Sequence, residues 1–263
     1  MTILQRQIST AVTASAENNT HHVKITKKKQ LFLLFYTTQN HRGDDLMYFS
    51  AKTRRHNIEK ASWFDPERHL IFNVPIQDIA EIITTVASSI QKRGGIGKVE
   101  IKEVNIFSHA WYDGPTGSVP CSVEPEGYQM KLAGWSLIDF QWAAKSRFAM
   151  FGCNTATDEY NARVFAEDLS NSPNFKDVEV WGQTSPAKPS FYPDQRDSSV
   201  LRNMDTGWSV NFTYMVASIK GDGWAATRGI PKKSPPAMPM KKYMNGVLIE
   251  RAFQSQFNDH RKL

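Results

Sequence analysis

Short apolar runs alternate with longer amphipathic stretches through the first two thirds of the chain. Gln30 to Tyr36, QLFLLFY, is aromatic and apolar and stops at Thr-Thr-Gln-Asn, which predicts a strand ending in a loop. His69 to Ile76, HLIFNVPI, predicts a second strand, with Pro75 marking its edge or end. Next, Ile79, Ile82, Ile83, Val86 and Ile90 recur three and four apart, the spacing of one helix face. Asp78 and Glu81 at its start and Lys92 and Arg93 at its end suit the helix dipole, and Gly94 and Gly95 supply the stop. Val99 to Ser108 reads as a strand, residues 109 to 130 as a long loop rich in Gly and Pro, and Arg147 to Gly152 as another strand. A helix is expected from Thr157, its N-cap, with Ala162, Phe165, Ala166 and Leu169 on its apolar side. A short strand follows at Asp177, in DVEVWGQTSPAKP, and runs out into a loop.

This alternation predicts an α/β fold, a mainly parallel sheet flanked by helices. In such sheets functional groups collect beyond the carboxyl ends of the strands. From about Asp205 the pattern weakens: WSVNFTYMVAS suits a strand, KKSPPAMPMKK a proline-rich loop and GVLIERAFQSQF a terminal helix. With no internal repeat and no linker, the expected organisation is an N-terminal arm over 1–28 and a single domain over 29–263, with an extension from about 205.

Composition adds little to this picture. With 40% hydrophobic and 22% charged residues, the 263-residue chain belongs with ordinary folding proteins. The formal charge of +6 is scattered in short runs at Lys27 to Lys29, Arg54 and Arg55, Lys232 and Lys233, and Lys241 and Lys242. Such runs usually form solvated faces, so nucleic acid is a disfavoured partner, while an acidic partner or a membrane headgroup surface stays open. The N-terminal stretch lacks a basic segment followed by a long apolar one, and no run is long enough to span a bilayer. The expectation is a cytoplasmic protein, or one exported without a classical signal peptide.

Chemistry concentrates at two places. The strand EVNIF leads through Ser108 to His109 and then to Trp-Tyr-Asp-Gly-Pro, and the strand before FGCNTA leads to Cys153. A lone histidine or cysteine is often a packing group. Together, at the ends of two strands, they fit a thiol nucleophile with a histidine as general base and acid. Amides at the start of the helix expected after Cys153 would lower the thiol pKa and stabilise an oxyanion. Asp113 is either an orienting acid for His109 or a turn former, and Asp158 and Glu159 read as helix-start carboxylates. Trp111 and Tyr112 either wall a substrate cleft or cover the sheet end. Cys121 and Cys153 cannot make a zinc site by themselves, and their spacing leaves a disulfide open. His21, His22, His41 and His56 lack a compact ligand pattern, so no metal is assigned to them.

The stretches SHAWYDG and MFGCNTA resemble the paired signatures of the caspase, gingipain and legumain superfamily of cysteine peptidases, over about Gln30 to Gly182. Ala110 replaces the glycine usual beside the histidine. The resemblance implies a caspase-hemoglobinase-like three-layer sandwich and cleavage of peptide bonds by a His109–Cys153 dyad through a thioester, without a cofactor. It also implies an oxyanion hole from the backbone of Ala110 and Cys153, and substrate contacts among Trp181, Gln183, Thr184 and Ser185. The implied partner is a protein or peptide substrate, and the implied setting a bacterial effector or toxin. Two other readings stay open: a noncatalytic binding or scaffold protein of the same fold, and another Cys-His acyl-transfer hydrolase. The order of histidine before cysteine favours the caspase-like arrangement.

Overall fold

The computed structural model describes residues 28–38, 44–158, 163–184, 187–189, 215–217 and 240–252. The expected arm lies outside these residues, apart from Lys28. In chain order the elements are β1 (Lys29–Thr37), α1 (Asp44–Lys60), β2 (His69–Ile76), α2 (Ile79–Gln91) and β3 (Val99–Phe107). The two-residue strands β4 (Ala110–Trp111) and β5 (Gly114–Pro115) follow, then α3 (Leu132–Trp135), β6 (Trp142–Phe151), α4 (Phe165–Ser170) and β7 (Glu179–Gln183). The last strands are β8 (Ala187–Pro189), β9 (Met215–Ala217), β10 (Met240–Met244) and β11 (Val247–Ala252).

Among the described residues seven strands form the main sheet, in the order β11-β10-β7-β6-β3-β1-β2. The five from β7 to β2 are parallel, and β10 and β11 close one side antiparallel. The α/β class read from the sequence is therefore the observed one, a mostly parallel sheet with helices on both faces, consistent with a caspase-hemoglobinase-like three-layer sandwich. Alternation along β1 sorts its side chains. Leu31, Leu33 and Phe35 join Ile79, Ile82, Val86 and Ile90 of α2, Trp135 of α3 and Phe165 and Leu169 of α4 in the larger core. Phe32 and Leu34 face the other way and meet Met47, Ala51 and Ile58 of α1. Asp78 caps α2 by accepting a hydrogen bond from the Glu81 amide at 2.9 Å.

The α1 side carries the most ions. Glu103 of β3 is fully buried and takes a bidentate pair of hydrogen bonds from Arg54 of α1, both 2.6 Å. Burial by itself would raise the Glu103 carboxyl, but the Arg54 guanidinium, then Arg147 and the Asn105 amide, hold it below the usual range. Opposite charges continue across the sheet. Arg147 of β6 pairs in register with Glu103 and reaches Glu179 of β7 at 3.4 Å. Lys242 of β10 contacts Glu179 at 3.4 Å and Glu250 of β11 at 2.8 Å. Trp181 lies beneath this row, with Lys242 Nζ 5.3 Å from its ring centre.

Several expectations change here. The helix α1 is new, because Arg54 occupies a position on its buried stripe. That arginine is not the solvated charge its run suggested, and neither is Lys241, which is 2% exposed. Strand β6 begins at Trp142, five residues before the expected Arg147, with a register break between Ile101 and Glu103 of its partner. Lys102 fills the break by donating to the carbonyls of Ala144 and Lys145, at 2.9 and 2.8 Å. The segment expected as a terminal helix runs as strand from Val247 to Ala252, a hairpin partner of β10. Of the expected proline-rich loop, Met240 to Lys242 belong to β10 and the remainder lies outside the described residues. Of WSVNFTYMVAS only Met215–Ala217 is described, and it is strand.

Arg54→Met should destabilise the protein by about 3 to 5 kcal/mol, the usual cost of leaving a buried charge without its partner. Arg54→Met with Glu103→Leu should recover most of that loss, as urea unfolding will read. His69 gives a second test. It packs against Phe32, Trp63 and Phe64, and its Nδ1 accepts the Asp65 amide at 2.9 Å. Burial first, and then the Arg68 charge, lower its pKa from the ordinary 6.5. A lowered histidine pKa adds stability that is complete above about 6.5 and is lost as pH falls through the folded value. His69→Phe should flatten the acid side of the stability profile relative to wild type.

Candidate active site

Strands β3 and β6 are hydrogen-bonded neighbours, and Phe107 pairs in register with Phe151. Their rings stack with centroids 4.8 Å apart. His109 and Cys153 each follow two residues later, so both chains leave the sheet at the same height on adjacent strands. His109 is exposed and Cys153 half-buried, and each has other interactions of its own. Neither Cys121 nor Cys153 forms a disulfide among the described residues.

The two chain segments touch directly beyond the sheet. A side chain at Gly152 would run into the Ala110 methyl, 2.8 Å from the Ser108 carbonyl oxygen and 3.3 Å from the Ala110 nitrogen. The missing glycine beside His109 is thus matched by the glycine before Cys153, which leaves room for the Ala110 methyl. The Ala110 nitrogen, expected in the oxyanion hole, stands beside Gly152 and one residue from the Cys153 backbone.

The region expected as one long loop has internal structure that fixes His109. The strands β4 and β5 pair as a hairpin, and the His109 carbonyl accepts the Thr116 amide at 2.7 Å. Met130 N–H donates to the Pro115 carbonyl at 2.8 Å, and the Gln129 amide donates to the Gly114 carbonyl. Gly114 has φ +128°, and a side chain there would lie 2.8 Å from the Phe165 ring and from the Met130 carbonyl oxygen. The hairpin therefore seats on α4. Trp111 and Tyr112 are exposed at its end with rings 6.0 Å apart, and Asp113 is exposed beside Tyr112 in the turn.

Beyond Cys153 the expectation of a helix start fails. Residues 153 to 156 form turns, residues 159–162 lie outside the described residues, and the expected helix is seen as α4 from Phe165, with Phe165, Ala166 and Leu169 buried as expected. No helix amides converge on the thiol among the described residues. The competing force is pairing with β7. Gln183 N–H donates to Thr155 Oγ1 at 3.0 Å, and Ala156 N–H donates to the Gln183 carbonyl at 2.8 Å. Ala166 N–H donates to the Thr155 carbonyl at 3.0 Å. Gly182 permits this approach, since a side chain there would come 2.9 Å from both Thr155 Oγ1 and the Ala156 methyl. Asn154 adopts φ +59° to make the turn. Asp158, expected to balance a helix dipole, instead accepts a hydrogen bond from Lys241 Nζ at 2.8 Å. That hydrogen bond lowers its pKa.

Among the other expected contacts, Gln183 and Thr184 are buried at the end of β7, and both side-chain amide atoms of Gln183 have no partner among the described residues. Asn154 has the same two unpartnered atoms. Trp181 is buried in the charged row, where its Nε1 donates to Glu179 at 3.3 Å. Ser185, Glu159 and Ala162 lie outside the described residues, as do His21, His22 and His41. His56 is half-buried on α1. Among the described residues no three His, Cys, Asp or Glu side chains gather as a metal site, and no helix is long and apolar enough to cross a membrane.

The chain matches no family model and no curated protein. Its fold is distantly similar to a secreted C11 cysteine protease from Bacteroides thetaiotaomicron, solved in complex with an irreversible peptide inhibitor. Identity is 12% and the TM-score 0.38, with 60% of this chain and 50% of that one covered. The match spans half the length of that protease.

Gly152→Ala should cost about 1 to 3 kcal/mol, in the range of an overpacked core. Ala110→Gly in the same chain should restore part of that loss, because the Ser108 carbonyl still crowds the new methyl. Thermal unfolding of the single and double variants measures both effects.

Proposed function

We propose that this protein is a cysteine endopeptidase in which Cys153 is the nucleophile and His109 its general base and acid. The observation that carries the reading is the Phe107–Phe151 pairing, which starts the two residues from the same level of adjacent parallel strands. Contact between Gly152 and Ala110 supports it by drawing the two segments together just beyond the sheet.

The chemistry follows from the groups. His109 takes the Cys153 proton, and the thiolate sulfur attacks the carbonyl carbon of a peptide bond. Backbone N–H groups of Cys153 and Ala110 are the donors for the resulting oxyanion; a backbone amide serves equally from alanine or glycine. The carbon–nitrogen bond then breaks as His109 returns the proton to the departing amine, leaving a thioester on Cys153. Water gives a proton to His109 and attacks the thioester carbon, and the carboxylic acid leaves as the thiol is re-formed. All of this needs only these two side chains, the backbone N–H groups and water.

Alkylation of the native reduced protein with iodoacetamide, read residue by residue by mass spectrometry, tests the dyad. Cys153 should react faster than Cys121, and His109→Ala should slow Cys153 by about 100-fold, within the range of general-base assistance. Cleavage of a denatured casein substrate should disappear in Cys153→Ala and persist in Cys121→Ala. Slow alkylation of Cys153, unchanged by His109→Ala, would instead identify a binding protein built on the same fold.

A further inference from the structure

The turn that carries Cys153 is held at its far end by the antiparallel strand β10. Lys241 of β10 pairs in register with Gly182 of β7, and its side chain is 3% exposed. A lysine ammonium buried this deeply needs a carboxylate. The partner it has is Asp158, five residues past Cys153, whose side chain is 69% exposed at the surface end of the pair, with Nζ and Oδ2 2.8 Å apart. Between these points the Thr155 and Ala156 hydrogen bonds to Gln183 tie the same turn to β7. The turn therefore leaves β6 at Phe151, reverses at Asn154, and is fastened successively to β7 and β10.

We infer that Lys241 and Asp158 form a latch that positions Cys153 against His109, making β10 a working part of the site. The inference rests on the His109–Cys153 reading and deepens it. Both are positioning residues, since neither needs to touch a substrate. His109 is fixed from the opposite side, through the β4–β5 hairpin and Phe165. The separation between base and nucleophile is thus set by two sets of ties that meet at α4, where Phe165 packs on Gly114 and Ala166 N–H donates to the Thr155 carbonyl, and the β7–β10 set ends in the Lys241–Asp158 ion pair. Losing the latch loosens the turn at Asp158 while leaving the Thr155 and Ala156 hydrogen bonds to Gln183, the sheet register and His109 in place.

The test is a double-mutant comparison of Cys153 alkylation by iodoacetamide, in a Cys121→Ala background. Lys241→Met should slow Cys153 by about tenfold or more, the scale expected of a reacting group displaced by a fraction of an ångström to an ångström. In that variant His109→Ala should have little further effect, because the two residues are already uncoupled. Asp158→Asn should act in the same direction, and exchanging the pair as Lys241→Asp with Asp158→Lys, or substituting Lys241→Arg, should restore the dependence on His109. A lysine that merely supports the fold would lower the unfolding temperature while the His109 effect kept its full size. That result overturns the latch and leaves the dyad standing. If His109→Ala has no effect in the parent protein, the dyad reading fails. In that case a Cys153 rate unaltered by Lys241→Met overturns the latch as well, whereas a rate altered by Lys241→Met and restored by Lys241→Arg keeps the latch as an anchor of the thiol turn.

Discussion

Glu103 is the constraint from which most of this structure follows. A carboxylate at the centre of a sheet, with no access to water, is tolerable only with cations brought to it. Arg54 comes from α1 and Arg147 from the neighbouring strand, and each has a geometric consequence. Arg54 docks α1 over β3 in one position, with Met47, Ala51 and Ile58 falling on Phe32 and Leu34. Arg147 fixes β6 in one register against β3. A slip of one residue would turn Arg147 to the opposite face, into the apolar layer where Phe148 meets Trp135, Phe140 and Phe175. Buried ion pairs are poor sources of net stability but good determinants of a unique arrangement, and this one selects the register that levels Phe107 with Phe151. The placement of His109 and Cys153 beyond those phenylalanines is a remote result of the same charge.

The row of ions extends this constraint across strands with few apolar contacts on that side. Glu179, Lys242 and Glu250 alternate in sign over β7, β10 and β11. Trp181 fills the space below, with cations against its face and a carboxylate on its N–H. Antiparallel β10 and β11 are thereby joined to a parallel sheet through charge as well as backbone pairing. The other face holds together differently, by burial of Ile, Val, Leu and Phe side chains under α2, α3 and α4. One face specifies alignment and the other supplies most of the apolar burial.

This division explains what could be read from the sequence. Strands β1 and β3, helix α2 and the end of β6 follow ordinary apolar patterns, and their order implies the parallel sheet. Helix α1 escapes because Arg54 breaks the apolar stripe at the position that faces Glu103; only the partner strand makes that arginine a core residue. The first part of β6 escapes because its extra residues, closed off by Lys102, interrupt the alternation before Arg147. Strand β11 escapes because Val247, Leu248 and Ile249 are largely exposed on an edge, where alternation carries no information. At the site, the positions of His109 and Cys153 at strand ends are legible, since strand order and length determine them. The geometry after Cys153 is not. The Thr155 hydroxyl and the Ala156 N–H bond to Gln183, which lies 28 residues beyond Thr155 in sequence, and that long-range pairing holds residues 153 to 156 in turns where local propensity favours a helix start.

The exchange of small residues across the site shows how local motif and tertiary packing trade against each other. Where two parallel strands release their chains side by side, the first residues beyond the sheet must pass within van der Waals contact, and only one of the facing positions can carry a side chain. Here the methyl belongs to Ala110 and the hydrogen to Gly152. A glycine beside the histidine is one solution to that crowding, but the constraint acts on the pair. Every residue except proline carries a backbone N–H, so Ala110 has the same one that a glycine would have. Alanine in place of glycine at this position is consequently a difference of volume, answered by the glycine opposite.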